Sequence, residues 1–201
     1  MIGKFLDKVY AARDLKGTKA LYDEWSASYD AEVGEFGYVT PARCAAALAA
    51  YAPDKSVPVL DFGCGTGLAG EALRDAGFEA IDGVDLSAEM LAQAKAKDIY
   101  RKLTQITADT PLGKDYRLIS AVGVIGSGAA PISALDMLLR ALPVGGKLVF
   151  SFNDHALADP VNTGRLNEWL DCGAARLLFK EHGAHLPGKN MKSTVYVIEI
   201  A

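Results

Sequence analysis

Short apolar runs alternate with longer amphipathic stretches from residue 57 onwards. Runs of strand length occupy residues 57–62, 80–85, 103–107, 118–122 and 147–152. Apolar side chains recur at helical spacing between several of these runs, as in residues 68–76 and 132–142. Strands that alternate with helices of this length form a mostly parallel sheet with helices on both faces. The pattern therefore predicts a doubly wound α/β fold.

The tail of the chain departs from this alternation. Residues 166–170 predict a short helix, and residues 175–180 and 194–200 predict two strands. These two strands have no helix between them and are joined by a predicted loop through Gly183 and Pro187. We therefore expect an antiparallel hairpin at the edge of the sheet, which brings the sheet to seven strands.

The first part of the chain, residues 1–53, is predicted to be helical. Apolar and aromatic side chains recur at helical spacing at Leu21, Tyr22, Trp25 and Tyr29. Thr40 is predicted to cap a further helix that begins at Pro41. Since no linker-like stretch follows, we expect these helices to pack on a main domain of residues 54–201 as one structural unit.

The composition narrows the class of protein. A chain of 201 residues, half of them hydrophobic, suits one domain with a single core. The three cysteines are widely spaced, which favours reduced thiols over disulfides, and no Cys/His cluster predicts a metal site. No apolar run is long enough for a membrane span, and the N-terminus lacks the pattern of a signal peptide. We expect a cytoplasmic protein without membrane contact.

The charge distribution bears on partners. The formal net charge is −4, and the basic residues are scattered along the chain. A nucleic-acid surface would normally show a basic patch or stripe. A nucleic-acid partner is therefore not favoured.

A glycine-rich turn follows the first strand and can be aligned in two registers. Gly65, Gly67 and Gly70 match the G-x-G-x-x-G dinucleotide fingerprint, and Asp85 lies about twenty residues further on. This register favours NAD, but it leaves Asp61 inside the strand, where an unpaired carboxylate is costly.

In the second register the strand ends at Phe62, so Asp61 lies at its carboxyl end and Gly63 opens the turn. Ligands bind at this edge of a parallel sheet. A carboxylate placed here can accept a hydrogen bond from a ligand's ammonium group, which NAD does not offer at this position. Gly65 then allows a ligand close to the backbone, and Gly67 allows the next helix to pack tightly. The second register is favoured.

Four motifs in this order resemble those of class I S-adenosylmethionine-dependent methyltransferases, which have a Rossmann-like fold. They lie at residues 59–67 (VLDFGCGTG), 83–87 (GVDLS), 108–110 (ADT) and 142–148 (LPVGGKL). The resemblance implies S-adenosylmethionine as cofactor, methyl transfer as activity, and residues 54–201 as the cofactor-binding domain. It assigns cofactor contacts to the first motif at Asp61, Gly63, Cys64, Gly65 and Gly67.

The later motifs extend the implied site. Asp85 is assigned to the two ribose hydroxyls, with Leu86 beside it. Asp109 and Thr110 are assigned to the neighbourhood of adenine. Met90 follows the second motif and is either a core residue or the floor of the adenine site.

The segment YDEWSASYD, residues 22–30, resembles the Y-D-x-W-A-x-x-Y-D segment of one subgroup. That subgroup contains small bacterial methyltransferases and the methyltransferase-like proteins of the Williams-Beuren region. The resemblance makes Tyr22, Trp25, Tyr29 and Tyr38 candidate lid residues over the cofactor, although aromatic residues at this spacing are often only core.

The acceptor of the methyl group is not determined by the sequence, and a small molecule or a protein side chain is expected. His155 follows the fifth strand where an acceptor should lie and is a weak candidate for a general base, although loop histidines are more often solvated. His182 and His185 are predicted to be surface residues. Two other functions stay open: a cofactor-binding module without turnover, and an NAD-dependent oxidoreductase.

Overall fold

The computed structural model describes residues 15–126 and 129–201, with the backbone alone for residues 15–19. The strands are β1 (Val59–Phe62), β2 (Ile81–Asp85), β3 (Lys102–Gln105), β4 (Leu118–Ala121), β5 (Lys147–Asn153), β6 (Ala175–Leu186) and β7 (Met191–Ile200). The α-helices are α1 (Leu15–Trp25), α2 (Tyr29–Glu35), α3 (Thr40–Tyr51), α4 (Leu68–Asp75), α5 (Ala88–Ala96), α6 (Ser133–Ala141), α7 (Asp154–Ala158) and α8 (Pro160–Asp171). Residues 1–14 lie outside the described residues. They include the start of the expected N-terminal lid and the N-terminus that was considered for a signal peptide.

All seven strands form one sheet in the order β3-β2-β1-β4-β5-β7-β6. Strands β1 to β5 pair in parallel, whereas β7 runs antiparallel to both β5 and β6. This confirms the predicted Rossmann-like sheet and the antiparallel hairpin, with β6 at the sheet edge. The strand order reverses direction between β1 and β4, and such a switch point leaves a crevice at the carboxyl ends of the strands.

Helices cover both faces of the sheet. On one face, Leu60 and Phe62 of β1 pack in a cluster with helix α6 and the buried Leu166 of α8. On the other face, Val59 packs in a second cluster with residues of α3 and α4, including Leu48. Since alternate residues of β1 enter different clusters, all four residues of this short strand are buried. No helix among the described residues has the length and apolar character needed to cross a membrane.

The hairpin is longer than predicted, and Gly183 lies within β6 instead of in the loop. The register of β6 against β7 shifts between Leu177 and Phe179 and again between Ala184 and Leu186. Such bulges let the long edge strand bend while it stays paired. The connection is a short 3-10 turn, Pro187–Lys189.

Two predictions for the N-terminal helices were wrong. The helical spacing around Trp25 does not belong to one helix, because α1 ends at Trp25 and α2 begins at Tyr29. Thr40 is not a cap, since Val39 holds the cap position and its side chain makes no capping hydrogen bond. The Thr40 hydroxyl instead contacts His185 Nδ1 at 2.8 Å and Ser193 Oγ at 3.0 Å.

The helices after β5 also differ from expectation, whereas the helix after β2 is as predicted. The predicted short helix at residues 166–170 is the end of α8, which begins at Pro160 behind the capping side chain of Asp159. Helix α7 has no counterpart in the prediction. The Ser87 cap of α5 is confirmed, because its Oγ accepts a hydrogen bond from Met90 N at 3.1 Å.

Candidate functional site

The glycine turn between β1 and α4 forms one wall of the crevice at the switch point. Strand β1 ends at Phe62, in agreement with the second register, and Gly63, Gly65 and Gly67 have φ values of +68°, +53° and +97°. A Cβ atom on Gly63 would lie 2.6 Å from Val124 Cγ2, so a side chain is excluded there. A Cβ atom on Gly65 would meet no atom of the described residues within 4 Å, which leaves space for a ligand beside the backbone.

Asp85, at the end of β2, ties this turn to the next helix. Its Oδ2 accepts a hydrogen bond from Gly65 N, and its Oδ1 accepts one from Ser87 N, both at 2.9 Å. Burial raises the pKa of the Asp85 carboxyl, while these backbone N–H groups act in the opposite direction. The carboxylate is therefore held in one orientation at the wall of the crevice.

Asp61 is more deeply placed than Asp85. Its side chain is 1% exposed, and Oδ2 accepts a hydrogen bond from the Tyr100 hydroxyl at 2.8 Å. Oδ1 has no hydrogen-bond partner in the described part of the chain. Burial raises the pKa of Asp61 to about 7, although nearby hydroxyl groups, that of Tyr100 foremost, favour the ionised form. Asp61 thus keeps one oxygen atom unsatisfied beside the glycine turn.

The crevice opens into a cavity of about 230 Å³. Its wall combines the carboxyl ends of four parallel strands with the N-terminal helices and the start of α6. The lining residues are Tyr22, Tyr29, Phe62, Gly63, Gly65, Asp85, Leu86, Ser87, Met90, Ile106, Thr107, Ala108, Val122, Gly123, Val124, Ala129, Ala130, Pro131, Ser133, Ala134 and Met137. This is an apolar cavity with a single carboxylate in its described wall.

Seven of the residues predicted to bind cofactor lie together in this wall, and six do not. The seven are Tyr22, Tyr29, Gly63, Gly65, Asp85, Leu86 and Met90. The other six are Trp25, Asp61, Cys64, Gly67, Asp109 and Thr110. Contact of any of these residues with a cofactor stays a prediction.

Three of the six have clear places elsewhere. Cys64 is buried with its thiol 2.9 Å from a Cβ built on Gly83, and burial raises its pKa. Gly67 lies against Tyr100 and the backbone of Ala94, which supports its predicted role in close helix packing. Trp25 is 1% exposed and donates a hydrogen bond from Nε1 to Glu32 Oε2 at 3.0 Å.

The acidic position after β3 is displaced from the cavity. Asp109 is exposed, and the Thr110 hydroxyl accepts a hydrogen bond from Thr107 N at 2.8 Å. Thr107 and Ala108 line the cavity in this region instead. Sequence reasoning missed them because it followed the motif, although the rule that ligands bind at strand ends points to residues directly after β3.

The start of α6 was also missed. Ala130, Ser133 and Met137 face the cavity, whereas the sequence predicted this helix only from its leucine spacing. Small residues between β4 and α6 are a signal of close approach, but they carry no motif.

The histidines differ from one another. His155 on α7 is exposed and is absent from the described cavity wall, so its role as a base gains no support. His182 is exposed as predicted, but the surface placement of His185 was wrong. His185 is 5% exposed, and burial lowers its pKa to about 4. The second bulge of β6 surrounds this position, which is why local sequence did not reveal its burial.

The arrangement suits a ligand with a polar end and a flat apolar part. Asp85 offers a buried carboxylate at the wall, and Gly65 leaves the backbone accessible. Leu86, Met90 and Ile106 supply an apolar surface nearby. Such cavities, mostly apolar with a few fixed polar groups, are typical cofactor sites.

Comparisons with known proteins identify similar chains. A family model described as a methyltransferase domain matches residues 36–194. Methyltransferase-like protein 27 of Homo sapiens is 35% identical over 138 residues, which cover 66% of this chain and 56% of the human protein. The chain thus spans little more than half the length of that relative.

Two solved structures are similar over nearly the whole chain. One is a complex between the Haloferax volcanii Trm112 methyltransferase activator and a methyltransferase, with a TM-score of 0.66, 18% identity, and coverage of 94% of this chain and 99% of the other. The other is magnesium protoporphyrin IX methyltransferase from Synechocystis with bound S-adenosylmethionine, with a TM-score of 0.62, 16% identity, and coverage of 98% and 90%. Identities this low show a shared fold.

Proposed function

This chain belongs to the methyltransferase-domain family, and we propose that it transfers a methyl group from S-adenosylmethionine to a small molecule or a protein side chain. The observation that carries the proposal is the direct link between Gly65 and Asp85 in one cavity wall at the switch point of the sheet. This hydrogen bond joins the first motif, which is predicted to lie beside the methionine part of the cofactor, to the second motif, which is predicted to bind its ribose.

The groups in the cavity wall would suit the parts of S-adenosylmethionine. Asp85 would accept hydrogen bonds from the ribose hydroxyls, and Leu86 and Met90 would contact the adenine. Gly63 and Gly65 would border the methionine part, where Gly65 leaves open space. Asp61 lies outside the described cavity wall, but its unsatisfied Oδ1 is beside this turn and would be the nearest acidic acceptor for the ammonium group.

When bound, S-adenosylmethionine supplies an electrophilic methyl group on a sulfonium centre. The residues of this chain orient and enclose it, and well-oriented reactants alone lower a barrier by about 7–11 kcal/mol. Val124 and Met137 line the cavity with apolar groups, which would limit the contact of a bound methyl donor with water. A general base is needed only for an acceptor that must lose a proton, and His155 is not assigned this role.

The acceptor class and location complete the proposal. A net charge of −4 with scattered basic residues favours a small molecule or protein over nucleic acid. Free cysteines at three separate places favour a reducing compartment, which we propose to be the cytoplasm.

Calorimetry with S-adenosylhomocysteine and with NAD tests the cofactor. We expect S-adenosylhomocysteine to bind with a dissociation constant of about 1–100 μM, equivalent to roughly 5–8 kcal/mol, and NAD not to bind. Binding of NAD alone would support the oxidoreductase alternative and overturn the proposal.

Turnover is tested separately with S-adenosylmethionine carrying a radioactive methyl group, incubated with protein fractions and with small-molecule extracts. Transfer of label that depends on the chain supports an enzyme. Tight cofactor binding with no label transferred to any fraction would favour a binding module.

A further inference from the structure

The segment over the cavity, residues 20–38, is held by side-chain contacts of two kinds, in addition to the backbone hydrogen bond from Gly188 N to Phe36 O. We call it the roof segment, because Tyr22 and Tyr29 line the cavity from it. Its first attachment is apolar: Trp25 and Val33 form a small buried cluster with Leu186 of the hairpin. Leu68, directly after the glycine turn, packs against this cluster, so apolar contacts already bring the segment close to the turn.

The second attachment is polar and lies directly on the glycine turn. The Thr66 hydroxyl, within that turn and 2% exposed, donates a hydrogen bond to Asp30 Oδ1. Lys97 Nζ lies 2.8 Å from Asp30 Oδ2 and 2.7 Å from Glu71 Oε2. Asp30 therefore connects the roof segment to the turn, to the end of α5 and, through Lys97, to α4.

The Lys97 side chain lies close to the glycine turn. It is 17% exposed, and its Cδ lies 3.4 Å from a Cβ built on Gly67. A methyl group at position 67 would therefore lie in van der Waals contact with the aliphatic part of Lys97. The Lys97 side chain thus runs past Gly67 to Asp30, and its ion pair lies directly beside the glycine turn.

We propose that Asp30 is a positioning residue, which fastens the roof segment to the glycine turn and so keeps Tyr22 and Tyr29 against the cavity. The inference rests on the proposed function for the identity of the ligand. Asp30 follows Tyr29 in the first turn of α2, so the contacts of its carboxylate help to fix the backbone that carries the Tyr29 ring. Closure of the roof segment then slows the release of whatever the cavity holds.

Dissociation of S-adenosylhomocysteine, followed by stopped-flow fluorescence, tests this role. Trp25 and Trp169 are the two tryptophans of the chain, so a Trp169→Phe background reports on Trp25 alone, whose ring centroid lies 4.6 Å from that of Tyr29. We expect Asp30→Ala to speed dissociation about tenfold, because a hydrogen bond to a charged group is lost along with the ion pair. Asp30→Asn keeps an acceptor for Thr66 and should speed it by about two- to fivefold.

Two further variants separate the ion pair from general loss of stability. Lys97→Met should act through Asp30, so the double variant Asp30→Asn/Lys97→Met should dissociate no faster than the faster single variant. Lys147→Met is the matched control, because Lys147 forms a 2.9 Å ion pair with Glu199 and is 19% exposed. It should leave dissociation unchanged.

An accessibility measurement keeps the inference testable without a ligand. Acrylamide should quench Trp25 more strongly in ligand-free Asp30→Ala than in Lys147→Met. If S-adenosylhomocysteine fails to bind the unsubstituted chain, the proposed function fails while this measurement still tests Asp30. Equal quenching, or equal dissociation rates in Asp30→Ala and Lys147→Met, would overturn the positioning role.

Discussion

Substituting Asp85 by alanine removes the acceptor of two backbone hydrogen bonds. Gly65 N and Ser87 N each donate to its carboxylate at 2.9 Å, and a hydrogen bond to a charged group contributes about 1.5–3 kcal/mol. Burial of the carboxylate offsets part of this gain, since it raises the pKa of Asp85. We expect a net loss of about 2 kcal/mol, which lowers Tm by about 4–8 °C in a chain of this length.

The effect on ligand binding should be larger. If Asp85 accepts hydrogen bonds from both ribose hydroxyls, their loss removes at least about 3 kcal/mol of binding free energy. Affinity for S-adenosylhomocysteine should then fall by a factor of about 100 or more. Asp85→Asn keeps one oxygen acceptor and should fall between this variant and the unsubstituted chain.

Calorimetry and thermal unfolding of the same samples separate the two effects. Asp82→Ala is the matched control, because Asp82 lies in the same strand and accepts hydrogen bonds from Arg101 and Tyr116. It should lower Tm without changing affinity for S-adenosylhomocysteine. The ribose assignment would be refuted if Asp85→Ala bound within about threefold of the unsubstituted chain, or if Asp82→Ala weakened binding equally.

Further predictions concern the turn and the buried ionisable groups. Gly65→Ala should lower the free energy of unfolding by about 1–2 kcal/mol, because Gly65 has a positive φ, and should also weaken S-adenosylhomocysteine binding. Gly164→Ala is its control, because Gly164 lies in α8 and a Cβ there would meet no described atom within 4 Å. This variant should raise the free energy of unfolding by about 1 kcal/mol and leave binding unchanged in the same calorimetric and unfolding assays. Because burial raises the pKa of Asp61 to about 7 from 3.8, the unfolded state loses this proton first as pH rises. In urea unfolding, the free energy of unfolding of the unsubstituted chain should fall by roughly 1 kcal/mol per pH unit relative to that of Asp61→Asn between about pH 4 and pH 7. Plots of this free energy against pH that run parallel for the two chains would contradict the prediction. The pH dependence has the opposite sign for His185, because burial lowers its pKa from 6.5 to about 4. Relative to His185→Gln, the unsubstituted chain should lose stability as pH falls from about 6.5 to 4. A difference that does not change with pH would exclude a buried neutral imidazole.

Local patterns were sufficient for the parallel strands and for the glycine turn. Strand β1 and the helix after it follow from a short apolar run and a glycine cluster, and both depend on neighbours in sequence. The Ser87 cap also forms within one turn of its helix. Such features are predictable because the atoms that stabilise them lie a few residues apart.

Features that depend on distant contacts were not predictable in this way. Thr40 resembles a helix cap, but its hydroxyl contacts His185, which lies 145 residues further on. The burial of His185 depends on the bulged register of β6. The cavity wall from Ala129 onwards belongs to the connection before α6 and to the start of that helix, and the spacing of its leucines does not specify where this part of the chain lies.

The contacts between the N-terminal region and the hairpin have a consequence for synthesis of the chain. Phe36 O accepts a hydrogen bond from Gly188 N, and His185 O accepts one from Val39 N, across about 150 residues of intervening sequence. A polypeptide leaves the ribosome N-terminus first, so Trp25 and its neighbours emerge long before Leu186. Until then, their apolar surface is exposed to chaperones and to aggregation. The roof segment can therefore dock on the nascent chain only after the hairpin has been translated, so synthesis of the hairpin limits when the cavity is completed.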